Sequence, residues 1–181
     1  MDILAHGLWA GAGLAWAQRH RVLSRTVVAA TVVLAVIPDL AHLLPSLVWT
    51  VGGAGSWQAV LDYAVAQPGN EPATPALVQL LTHHLHCIFH SAVVAGAVTL
   101  FVRWWWGIWW IPLLGWWSHI AIDVPTHSNS FYPVPVLYPF TQAGFDGLAW
   151  NTPWFMALNY LALAAAWGWI AWRHFAHRST R

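Results

Sequence analysis

The sequence predicts an all-α integral membrane protein, a single domain over residues 1–181 made of about five transmembrane helices with a metal site near the outer leaflet. Three observations carry this. Of the 181 residues, 59% are hydrophobic and only 7% charged, whereas an ordinary soluble domain is about 25% charged. Five apolar runs, at about 3–17, 26–50, 76–102, 104–124 and 153–172, are separated by segments holding Arg, Gly, Pro, Asn or acids, and a spanning helix takes roughly 20 residues. Several of the eleven His fall inside those runs, where an ionisable side chain is costly and by default functional or paired.

Other classes fall away on composition. The 16 Trp, 13 Gly and 11 Pro rule out a coiled coil, and a chain so rich in aromatics is not disordered. A net charge of +1 offers no clustered basic face, so nucleic acid is not expected as a partner. The lone cysteine, Cys87, excludes an intrachain disulfide and a thiolate-only metal cage.

Taken in order, the first run starts at Met1-Asp2 without basic residues and contains His6, so it reads as a retained helix, not a signal peptide. The second carries Pro38-Asp39 and His42, and the connection after it, 51–75, ends in a Pro-rich stretch at 66–75 that reads as a plain surface link. The third run, 76–102, carries His83, His84, His86 and His90 before a tight interfacial turn at Arg103-Trp104-Trp105-Trp106-Gly107. The fourth carries Ser118-His119 and Asp123, and leads into the loop 125–152 with His127 and Asp146. That loop, stiffened by Pro125, Pro133, Pro135 and Pro139 and bearing Phe131, Tyr132, Tyr138 and Phe140, is the expected lid, ordered over a pocket.

Orientation follows from arginine, because basic residues in short loops stay cytoplasmic. There is no Lys; Arg19, Arg21 and Arg25 precede run two, Arg103 follows run three, and Arg173, Arg178 and Arg181 follow run five. All therefore fall on one face, with the acidic connections on the other, which puts the N-terminus outside and the C-terminus inside a plasma membrane. The same topology gathers His6, Asp39, His42, His90, His119, Asp123 and His127 at the outer leaflet, although Arg alone set it.

Spacing adds chemistry. His119 and Asp123 are i and i+4, one turn apart and able to grip one metal ion, and His86 and His90 repeat that spacing with His83 three residues before His86. An imidazole and carboxylate shell suits Zn, Mn or Fe, and the absence of thiolates favours a hydrolytic or oxidative site over a structural zinc. His20, His174 and His177, beside Arg, read as interfacial only; His83 and His84 read as a wet rim, and the roles of His42 and His86 stay open. The Trp runs read as interfacial anchors that also offer surfaces to protein partners.

The motifs Met1-Asp2-Ile3-Leu4-Ala5-His6-Gly7, Pro38-Asp39, His90-Ser91 and Ser118-His119-xxx-Asp123-xx-Thr126 resemble the small bacterial and archaeal membrane-bound proteins described as predicted metal-dependent hydrolases. The stretch from Gly115 to Phe155, with Phe131-Tyr132-Pro133, Phe145-Asp146-Gly147 and, beyond it, Asn159-Tyr160, is similar to one subgroup. The family is thought to be distantly akin to the all-helical zinc-dependent phospholipase C and nuclease superfamily. The resemblance implies His6, Asp39, His90, His119 and Asp123 as metal residues. Where many members carry a His-Arg-Gly-x-Thr-His-Ser signature, this chain has His86-Cys87-Ile88-Phe89-His90-Ser91, without the Arg and Gly.

The expected function is metal-assisted hydrolysis of a phosphoester in a lipid or lipid-linked molecule at the outer membrane face. His127 is the expected proton shuttle, with Asp146 or Asn159 orienting ligands. Three rivals remain: a membrane di-iron oxygenase built on the His83 to His90 cluster, a haem protein pairing His90 with His6 or His119, and a non-enzymatic subunit of a larger assembly.

Overall fold

A computed structural model describes residues 1–19, 22–64 and 66–178, apart from the side chains of His177 and Arg178. Arg21, Arg181 and the Arg178 side chain, used for the orientation, and His20 and the His177 side chain, read as interfacial, lie outside the described residues. Seven helices follow one another: α1 (Ile3–Ala17), α2 (Arg25–Val51), α3 (Trp57–Ala64), α4 (Ala76–Phe89), α5 (Ala92–Trp106), α6 (Leu113–Thr126) and α7 (Pro153–Arg178). There is no strand among the described residues, so the all-α expectation holds.

The expected count of five membrane spans does not hold. Among the described residues, only α2 and the Pro153–Ala176 part of α7 are long and apolar enough to cross a membrane, with a third span if the bent pair α4 and α5 is taken as one. Helix α1 lies where the first run was, but its 15 residues reach only about 22 Å, short of the roughly 30 Å hydrocarbon thickness. The run at 104–124 loses its first nine residues as a separate span: α5 continues through Trp106 and stops at Gly107, whose φ of 69° gives the left-handed cap, and α6 begins only at Leu113. Apolar run length overcounts because the tryptophans at 104–110 are hydrophobic whether helical or not. In the connection 51–75 the structure adds the short helix α3.

Helix α2 is central, packed against α1, α3, α4 and α6, with α7 against α1. It meets α6 closely at Gly115, where an added Cβ would overlap the Thr31 carbonyl oxygen and stand 3.0 Å from Ala35 N. No other residue lets the two backbones approach so closely. Behind that contact Ala95, Val102, Leu113, Trp116 and Ile120 form a buried cluster, and Met1, Ala5 and Leu163 form a second between α1 and α7. Large apolar side chains such as Trp104, Trp105, Trp109 and Trp172 stay exposed, as a lipid-facing surface requires. At one end Arg19 and Arg173 both lie over the Trp169 ring, at 5.3 and 5.2 Å, so the described ends of α1 and α7 bring their arginines together.

The break between α4 and α5, a bend of 64°, is built into the sequence at His90-Ser91. Ser91 caps α5 by accepting from Val94 N–H at 3.2 Å. The freed groups find partners nearby: Ala92 N–H donates to the Val136 carbonyl, Ser91 Oγ donates to the Tyr138 carbonyl at 2.6 Å, and Trp116 Nε1 donates to the Phe89 carbonyl at 2.6 Å. Irregular backbone inside an apolar bundle is tolerated only where it is satisfied in this way or lines a cavity. The loop 125–152 is ordered as expected, since Gly147, Leu148 and Trp150 N–H groups donate to the His127, Pro125 and Thr126 carbonyls.

Candidate metal centre

Four helices or helix ends deliver the cluster: His6 from α1, Asp39 from α2, His90 from the α4–α5 break, and His119 with Asp123 from α6. One ligand atom each from Asp39, His90, His119 and Asp123 lies within 4.8 Å of all the others. His90, His119 and Asp123 are at most 1% exposed, so the site is cut off from bulk water on the bundle side. These four can hold a metal ion.

Tautomers decide what the cluster lacks. His119 Nδ1 lies 2.8 Å from the Ala35 carbonyl and His90 Nδ1 2.9 Å from the His86 carbonyl. A carbonyl can only accept, so both Nδ1 atoms carry a proton, and with the rings neutral both Nε2 atoms present lone pairs. Those two Nε2 atoms face each other at 3.1 Å. Around them stand Asp123 Oδ2, 2.9 Å from His119 Nε2 and 3.5 Å from His90 Nε2, and Asp39 Oδ1, 3.7 Å from each. Four electron-pair donors thus point at one place, and Asp123 Oδ2 has no hydrogen-bond donor. Each such buried acceptor costs roughly 1–3 kcal/mol unless something positive satisfies it.

A divalent ion fits the spacing. Ligands bound at 2.0–2.1 Å in tetrahedral array stand about 3.3 Å apart; the separations involving His90 and His119 run from 2.9 to 3.7 Å, and all four atoms lie within 4.8 Å of one another. The carbonyls of Ala35 and His86 are the outer partners that ligating histidines ordinarily have. A haem iron between His90 and His119 does not fit, since axial ligands stand about 4 Å apart with the macrocycle between them.

His6 is at the edge of the group. Its Nε2 is 2.9 Å from Asp123 Oδ1 and 4.0 Å from Asp39 Oδ2, its ring stacks on His119 at 3.8 Å, and neither ring nitrogen is in hydrogen-bond alignment. The Met1 α-ammonium also reaches Asp123 Oδ1.

His127, just past α6, touches the centre through Asp123: its Nδ1 donates to the Asp123 carbonyl at 3.1 Å and lies 3.7 Å from Oδ1. Burial, outweighing the attraction of Asp123, lowers its pKa to about 4, so the imidazole is neutral. Asp146 is not brought to the cluster; it is exposed and accepts from Asn129 N–H at 2.8 Å, fastening the loop. Asn159 accepts from Trp9 Nε1 at 2.9 Å and ties α7 to α1. His84 bonds the Tyr138 hydroxyl at 3.1 Å, His83 lies 3.6 Å from Cys87 Sγ, and His174 lies at the Arg19 end.

The centre opens on a cavity of about 940 Å³ lined by Asp39, His90 and His127 at one side and by Tyr63, Glu71 and Tyr132 at another. Among the described residues, no Lys or Arg lines it. The stretch 66–75 is therefore more than a surface link. Glu71 accepts from the Tyr132 hydroxyl at 2.8 Å and from Gly69 N–H at 2.8 Å, joining the two long loops over the cavity. Burial, then the bond to Glu71, raises the Tyr132 pKa, which keeps the hydroxyl a donor. Glu71 was a signal in the sequence only as one of six acids; its partner is 61 residues away.

No family model matches the chain, and no curated protein and no solved structure matches it either.

Proposed function

We propose that the protein is a membrane-embedded metal-dependent hydrolase that cleaves a phosphoester of a lipid or lipid-linked substrate at the outer membrane face. The observation that carries the reading is the convergence of the His90 and His119 Nε2 lone pairs with two carboxylates at the floor of a large cavity. The motif resemblance to membrane-bound predicted hydrolases points the same way.

When bound, a divalent ion supplies Lewis acidity toward a phosphoryl oxygen and makes water acidic enough to ionise near neutral pH. Asp39, His90, His119 and Asp123 would hold it, with His6 beside Asp123. The chain's own part is then positional. His127, neutral and anchored through Nδ1, takes up or returns a proton at Nε2 on the cavity side. With no Lys or Arg among the described lining residues, phosphate charge would be met at the centre, which would orient the scissile ester toward Asp39 and His90. Tyr132 and Glu71 hold the loops closed over the substrate and restrict water.

The apolar outer surface of the bundle supports a substrate carried by the bilayer. The test is phosphoester cleavage by purified protein on phospholipid vesicles, with and without added Zn²⁺ or Mn²⁺. Cleavage that requires the ion, and disappears in His119→Ala, supports the reading; a fully metal-loaded protein inactive on every vesicle composition and on soluble diesters contradicts it.

A further inference from the structure

Helix α1 stops at Ala17, about 16 Å along its axis from His6, while α7 runs on to Arg178. The two helices meet where Trp167 packs on Gly11, at which an added Cβ would stand 3.1 Å from the indole ring. Beside that contact lies a cleft of about 590 Å³, with an apolar wall of Trp167, Ile170 and Phe175 and polar groups from Gln18, Arg19 and His174. The Arg19 guanidinium stands 5.8 Å from the Trp16 ring and 5.3 Å from the Trp169 ring, and that of Arg173 stands 5.2 Å from Trp169, so two cations share one indole. Indole faces attract them but supply no counter-charge. The chain's acidic side chains supply none either, because all six are engaged away from this cleft. Asp39 and Asp123 stand in the centre, and Asp2, Asp62, Glu71 and Asp146 accept from Tyr160, Gln58, Tyr132 and Asn129.

We propose that this cleft binds an anionic phospholipid, with its phosphate at Arg19 and His174 in the field of Arg173, and its acyl chains against Trp167, Ile170 and Phe175. The inference rests on the membrane reading of the chain and is independent of the metal centre. Two arginines without a carboxylate call for an anion from outside the chain, and a guanidinium matches phosphate oxygens in pairs. A zwitterionic headgroup fits less well, since its ammonium would enter the field of two guanidiniums with no acid to receive it. A soluble anion would leave the apolar wall uncovered. Because α7 is long and apolar enough to cross a membrane as far as Ala176, its last turns put Arg173 and His174 at headgroup depth, where basic pockets between membrane helices take anionic lipids.

The test titrates the full chain in detergent with phosphatidylglycerol or with phosphatidylcholine of the same acyl chains, and counts bound lipid by native mass spectrometry. Wild type is expected to bind phosphatidylglycerol about tenfold more tightly. Arg19→Gln/Arg173→Gln is expected to lose that preference with an unchanged circular dichroism spectrum, whereas Arg103→Gln, which removes a charge beside Trp109 instead, should keep it. Equal binding of the two lipids by wild type overturns the proposal. A preference that survives in the double variant, or that falls as far in Arg103→Gln, overturns the assignment to this cleft. Displacement of phosphatidylglycerol by inorganic phosphate at a comparable concentration overturns the lipid as occupant, since the acyl chains would then contribute nothing. If the double variant does not fold, the wild-type preference and Arg19→Gln alone still decide. Metal content read on the same samples keeps the two readings apart: a metal-free protein that prefers phosphatidylglycerol overturns the centre and leaves this cleft standing.

Discussion

Gly115→Ala tests the link between helix packing and the centre, without touching a ligand. The added methyl would stand 2.9 Å from the Thr31 carbonyl carbon and 3.0 Å from Ala35 N, and would overlap the Thr31 oxygen. Non-bonded heavy atoms prefer about 3.5–4.0 Å, so α6 must retreat from α2 by about 1 Å or more. Asp39 sits on α2, while His119 and Asp123 sit on α6, and a metal site tolerates only about 0.2 Å in its ligand distances. Overpacking of this kind costs about 1–3 kcal/mol, partly offset by the better helix propensity of Ala, roughly 1 kcal/mol. A modest loss of thermal stability with at least a tenfold loss of metal affinity is therefore expected. Metal titration of detergent-purified protein, alongside thermal unfolding by circular dichroism, reads both. Gly168→Ala, where an added Cβ meets nothing within 4 Å, is the control and should retain its metal. If Gly115→Ala matches wild type in affinity and melting, the close α2–α6 approach does not set the centre.

Three further outcomes are expected. His119→Ala and Asp123→Ala should each lose bound metal while still inserting into membranes, whereas His174→Ala, at the Arg19 end of the bundle, should keep wild-type metal content by elemental analysis. Ser91→Ala removes a cap on α5 and a buried bond to the Tyr138 carbonyl, so melting in detergent should reveal a loss of about 2 kcal/mol; no change would mean that the helix break is held by the loop alone. A reporter active only outside the membrane should be silent when fused after Arg181, because arginines mark the cytoplasmic face; activity there would invert the proposed orientation.

What was legible in the sequence was the chemistry that cannot be hidden in an apolar chain. His119 and Asp123 declare themselves by i, i+4 spacing, and Asp39 and His90 by being ionisable within apolar runs, because burial without a partner is too costly to be incidental. The same runs misled on span number. Trp109 and Trp110 extend a hydrophobic stretch without extending a helix, and α1, apolar but for His6, is too short to cross. The break at His90-Ser91 carried a local signal, a serine with N-cap chemistry, but inside 27 apolar-rich residues it reads as an ordinary interior position. Contacts such as Glu71 with Tyr132 join loops that no periodicity relates, and Asp146 turned to the loop backbone instead of the centre.

The central claim is that the converging lone pairs of His90 and His119 hold a metal ion. Elemental analysis of the purified protein, followed by crystallographic anomalous difference maps at the absorption edge of the metal found, tests it most directly. The account predicts a stoichiometric ion and a peak at bonding distance from His90 Nε2, His119 Nε2, Asp123 and Asp39. Protein that stays metal-free after exposure to Zn²⁺, Mn²⁺ and Fe²⁺, or a peak elsewhere with none at these residues, would contradict it.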